Sequence, residues 1–138
     1  VKKLLLAAAA ALCLFGVADA QSMQSIGAPN TSVKLAISSA TTTKVITGSS
    51  VRAANITEIA FVSGGAGNVT FEYGHGTNCG TGTTALSGDM TVAAAEYQFG
   101  DGMGSLFVVP AGEDFCIVTT SSATAQGFLD YNEYVGSL

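Results

Sequence analysis

The chain has no tryptophan, two prolines, one histidine and three cysteines, and only 11% of its 138 residues are charged. Each scarcity excludes something. Past residue 20 only two cysteines and the one histidine remain, too few for a closed zinc site from its usual ligands. No two cysteines stand in a C-x-x-C pair, so dithiol redox chemistry has no motif to run on. Basic residues are rarer still. Past residue 20 they are Lys34, Lys44 and Arg52, against nine acids: Glu58, Glu72, Asp89, Glu96, Asp101, Glu113, Asp114, Asp130 and Glu133. Phosphate backbones are bound by clustered Lys and Arg that release counterions. Three dispersed cations in an acidic chain therefore argue against nucleic acid, or an anionic membrane surface, as a partner. Beyond residue 20 no stretch of useful length has helical periodicity, which removes helical bundles from consideration.

What is present begins with a leader pattern. Lys2 and Lys3 precede an apolar run from Leu4 to Val17, and Ala18-Asp19-Ala20 puts small residues where a signal peptidase reads. Residues 1–20 are expected to be a signal peptide cleaved before Gln21. The run is short for a membrane span and nothing follows it to stop transfer. Cys13 lies inside the run and not at the cleavage point, so lipid anchoring is not expected. Export to the periplasm, the cell surface or the medium follows, with no stable membrane insertion after cleavage. In that oxidising setting the two remaining cysteines, Cys79 and Cys116, are expected to pair, two free buried thiols being the alternative.

Residues 21–31, with Gly27, Pro29 and Asn30, read as an extended arm, and residues 32–138 as one domain. Ser32–Ser38 alternates, placing Val33, Leu35 and Ile37 on one face of a strand. Thr41–Thr47 has a favourable β composition. Asn55–Ser63 puts Thr57, Ile59 and Phe61 on one face; Gly64–Asn68 follows as a turn, and Val69, Phe71 and Tyr73 continue an inward face. Glycine accepts the positive φ of tight turns, so these two strands are expected to pair as a hairpin. Further short strands are expected at Ala85–Leu86, Met90–Val92, Tyr97–Phe99, Leu106–Val109 and Phe115–Thr119, and a last one runs to about Tyr134. Eight or nine short strands with turns between them point to an all-β sandwich or barrel, and a sandwich is expected. The missing core tryptophan favours a jelly-roll-like arrangement over an antibody-type one.

Candidate chemistry is thin. Gly80–Ala85 has the glycine spacing of a dinucleotide loop, but no helix follows to receive a pyrophosphate, so no cofactor is expected. His75 lies between glycines and has no neighbouring nucleophile elbow or recognisable acid partner, so an enzyme is not expected. The loop acids Asp89, Asp101, Glu113 and Asp114, with His75, are the residues that a ligand-binding loop would use. They lack calcium-loop spacing, and no metal is assigned. The tyrosines at 73, 97, 131 and 134 could stack on a sugar, although their alternation with apolar neighbours favours packing.

Thr57-Glu58-Ile59-Ala60-Phe61, then Gly76-Thr77-Asn78-Cys79-Gly80-Thr81-Gly82, then Val109-Pro110-Ala111-Gly112 with Cys116-Ile117-Val118-Thr119, resembles a group of small uncharacterised β-rich proteins of bacterial and phage genomes. The resemblance covers about Ile56 to Tyr134. It implies a paired cysteine framework and no settled activity. Val1 reads as an alternative start codon translated literally, which fits such a gene. The functional expectation is a non-enzymatic exported structural, surface or binding protein that self-assembles by strand addition or meets a surface glycan or protein. The alternative is a carbohydrate- or calcium-binding module.

Overall fold

A computed structural model describes residues 31–135. The expected leader, residues 1–20, lies outside the described residues. So does the expected arm, apart from Thr31, which opens the first strand. Ten strands form: β1 (Thr31–Ile37), β2 (Thr41–Ile46), β3 (Ala53–Ser63), β4 (Gly67–His75), β5 (Thr81–Ala85), β6 (Met90–Val92), β7 (Ala95–Gly100), β8 (Phe107–Val109), β9 (Asp114–Thr119) and β10 (Ala125–Tyr134). The total is one or two above the eight or nine expected, and the strand expected at Ala85–Leu86 lies earlier, as Thr81–Ala85 paired with β4.

The strands make two antiparallel sheets. One has the order β1-β10-β3-β7, with β8 also on β3; the other has β2-β9-β4-β5, with β6 also on β4. Successive strands β1 to β4 alternate between the sheets, and β9 and β10 insert between the strands of the earlier pairs. That interleaving is the jelly-roll order.

The expected hairpin between Asn55–Ser63 and Val69–Tyr73 does not form. β3 pairs with β10, β7 and β8, whereas β4 pairs with β9, β5 and β6. Gly64–Ala66 is therefore an arch from one sheet to the other. Both strands carry a continuous apolar face, and placing them in opposite sheets lets those faces bury each other. The arch glycines also serve a different purpose from the one their composition suggested. Neither Gly65 nor Gly67 has positive φ. A Cβ on Gly65 would stand 2.4 Å from the Ser122 carbonyl oxygen, and one on Gly67 would stand 2.1 Å from that of Thr120. They are small because the β9–β10 connection crosses over them.

The interlayer follows from period-two alternation. Leu35 and Ile37 of β1, Ile59 and Phe61 of β3, Val69 and Phe71 of β4, Phe115 and Ile117 of β9 and Leu129 of β10 are all buried in it. A register shift opposite Asp130/Tyr131 adds one residue to β3. This bulge is why Ile56 and Thr57 are both buried, the Thr57 hydroxyl donating to the Asp130 carbonyl at 3.1 Å.

Phe71 is where the layers meet. Its ring is 5.6 Å from Phe99 and 5.7 Å from Phe107 in the facing sheet, and 6.2 Å from Phe115 beside it. Removing it leaves a cavity that strands on both sides cannot close. Phe71→Ala is expected to cost about 3–5 kcal/mol in guanidinium denaturation; a loss under about 1 kcal/mol would show that the layers do not depend on this contact.

Candidate functional site

Two regions stand out, and Lys44 belongs to both. The first lies on the outer face of the second sheet. Because Phe115 and Ile117 point inward, Asp114 and Cys116 point out, and the register sets Cys116 between Lys44 of β2 and Glu72 of β4. Residues 77–79 form a single tight turn after β4, with Asn78 and Cys79 both left-handed at φ 48° and 56°. The turn folds the chain back over Gly74, and Cys79 bonds to Cys116 across a separation of 37 residues.

The disulfide expected between these cysteines is therefore present, and both sulfurs are fully buried. It does not join the two layers. It fastens the β4–β5 connection onto the outer surface of one sheet. Closing that interval restricts the unfolded chain by roughly 3–4 kcal/mol in the loop-entropy description.

Around this joint lie three of the five candidate ligand residues. Asp114 is nearly buried, and its Oδ2 accepts from Lys44 Nζ at 2.7 Å while its Oδ1 accepts from the Gly48 N–H at 2.8 Å. Lys44 also reaches the Gly76 carbonyl, at 3.4 Å. His75 Nδ1 is 3.2 Å from Glu113 Oε2. Burial alone would raise the Asp114 carboxyl. The hydrogen bonds from Lys44 and Gly48, with the charges of Lys44 and His75, outweigh it and hold the group below the usual aspartate range. Glu72, on the same face, is pushed up by burial.

The other two candidates are elsewhere. Asp89 accepts from the Thr70 hydroxyl at 2.7 Å, and Asp101 accepts from the Met103 N–H at 3.0 Å across its own loop. Among the described residues no three His, Cys, Asp or Glu side chains gather as a metal would require. His75 has its carboxylate, but no hydroxyl or thiol is hydrogen-bonded to its ring among the described residues. The tyrosines do not share an exposed platform either. Tyr97 stacks on Phe61 at 5.4 Å, and Tyr73 and Tyr131 pack against the core. Gly80–Ala85, with its dinucleotide-like spacing, is a turn and the strand β5.

The second region is the flank where β1 and β2 lie side by side, each at the edge of its sheet. A groove of about 270 Å³ is lined by Val33, Lys34, Leu35, Ala36 and Ile37 of β1 and by Thr43, Lys44 and Val45 of β2. In the sequence these two lysines stand only as scattered cations. Their scarcity was the available signal, since two of three cations past residue 20 border one groove.

The edges are not equally protected. β2 is bent by a register shift between Lys44 and Ile46, and β5, on the far side, is interrupted at His75 and carries left-handed Gly82. β1 pairs with β10 in unbroken register over seven residues, and of the devices that normally blunt a sheet edge it has neither proline, bulge nor inward charge, only the outward Lys34. Comparisons with protein-family models, with curated proteins and with solved structures found no match.

The Asp114 pair yields a pH prediction. A carboxyl held low in the folded state contributes stability that is complete above its unfolded pKa and lost as pH falls through the folded one. Asp114→Asn is expected to cost about 1–2 kcal/mol at neutral pH. Its melting curve should converge with wild type as the pH drops below the ordinary aspartate range; a constant gap down to strongly acid pH would contradict the ion-pair assignment.

Proposed function

We propose that this chain is an exported, non-enzymatic structural or binding module that engages its partner through a sheet edge. The observation that carries this reading is the β1/β2 flank. An edge strand without proline or bulge offers its outward N–H and C=O groups to an added strand, and the adjoining groove takes alternate apolar side chains from it. A small polar ligand would satisfy neither feature.

Ser32–Ile37 lies within its own sheet, paired to β10, so what it offers a neighbour is its outer edge. Export is supported by the leader pattern, and the closed Cys79–Cys116 bond is compatible with it. Among the described residues no helix is long and apolar enough to cross a membrane. The outer-face cluster of Lys44, Asp114, His75 and Glu113 serves as an anchor for the β4–β5 connection beside this flank.

The test is to place a charge where the added strand would lie. Val33 is half-buried in the groove's lining near the start of β1, so Val33→Lys creates an inward-pointing edge charge at little cost to the fold. Light scattering across a concentration series should show mass rising for wild type, and a monomer for the variant with its melting temperature nearly kept. A wild-type monomer at every concentration, with no binding partner captured through this edge, would end the proposal.

A further inference from the structure

We infer that the partner is a second copy of this chain, docked head to tail, with the β1/β2 flank of one copy against the β5/β7 flank of the next. The inference rests on the strand-edge reading above and names its partner and polarity. Its first support is directional. β1, β10, β3 and β7 are successively antiparallel, so β7 runs opposite to β1. The same holds for β2, β9, β4 and β5. A copy displaced sideways without being turned over therefore brings its β1 antiparallel to the first copy's β7, and its β2 antiparallel to β5. Both sheets continue at once, and inner face meets inner face.

The second support is charge. Lys34 lies exposed on the outer face of β1 and makes no ion pair among the described residues. Glu96 lies exposed on the outer face of β7, opposite Val62 across the β3 pairing, and is likewise unpaired. Setting Lys34 against Glu96 of the neighbouring copy aligns residues 31–35 with 95–99. Val33 then meets Tyr97 and Thr31 meets Phe99, both β-branched side chains against aromatics, a favourable kind of cross-strand pair. Tyr97 and Phe99 are half-buried and packed on the core, so the added edge is rigid.

A two-fold pairing of β1 with β1 is the competing geometry. Full overlap of that strand sets Lys34 against Lys34, which repels, and sliding to avoid it forfeits backbone pairs. A head-to-tail contact made by a sideways shift has no rotation to close it into a ring, so it builds open chains and not dimers.

Charge reversal separates these cases, because both positions are exposed and tolerate substitution. Purified wild type, Lys34→Glu, Glu96→Lys and the double variant would be compared by sedimentation velocity and negative-stain microscopy, with melting curves confirming that each is folded. Wild type should form linear strings at high concentration. Each single reversal should raise the concentration needed by about tenfold, while the double variant, or an equimolar mixture of the two singles, should restore it. If Lys34→Glu disrupts assembly and Glu96→Lys leaves it unchanged, the edge reading stands and head-to-tail docking is wrong. If wild type stays monomeric throughout, docking of a second copy is wrong, and the edge reading falls with it when no other partner is captured through this edge.

Discussion

Everything in this molecule depends on burying one apolar layer between two sheets that a small, weakly charged chain must build from short strands. Phe71 shows how tightly the requirement binds. It touches aromatic rings from both sheets, and those rings sit on β7, β8 and β9, elements 28 to 44 residues further along. The layer can form only if consecutive strands go to opposite sheets, so that each apolar face finds another. The arch at Gly64–Ala66, the crossing of the β9–β10 connection over Gly65 and Gly67, and the central placement of β3, β4, β9 and β10 all follow from that.

The same topology decides where the edges fall. Interleaving late strands among early ones makes β1 and β2 the outermost pair on one side. On the other side the sheet margins are split among short pieces, β5 with β6 and β7 with β8. The disulfide does not alter this arrangement. It spends its constraint on the outer face of one sheet, where Cys79 and Cys116 hold a glycine-rich connection down beside the Lys44–Asp114 pair. The fold proper rests on the interlayer, and the bond secures what lies on top of it.

Much of the fold was legible because alternation is local information. Val33, Leu35 and Ile37, or Val69 and Phe71, declare their faces in a few residues, and the pairing of Cys79 with Cys116 needed only a count and a compartment. Partnership between strands was not legible. A glycine-rich link such as Gly64–Asn68 is common to hairpins and arches, and the choice is made by β9 and β10, more than 40 residues away. The candidate site was half legible for the same reason. His75 and Glu113 were both singled out, but their contact spans 38 positions and exists only because β4 and β9 are neighbours. Lys44 had no motif at all; only its rarity marked it.

Among the described residues one flank of the sandwich is a pair of edge strands and the other is fragmented, which is the polarity that head-to-tail docking would require. Lys34 on one side and Glu96 on the other give that polarity a sign, and the even number of strands along each sheet path lets copies follow one another without reversal. The most direct measurement is amide hydrogen exchange followed residue by residue as protein concentration is raised. Outward-facing amides of Thr31–Ile37 and Ala95–Gly100 should become protected together, while those of β3 and β9 stay unchanged. Exchange at both edges that is indifferent to concentration would contradict the idea that these strands are docking edges.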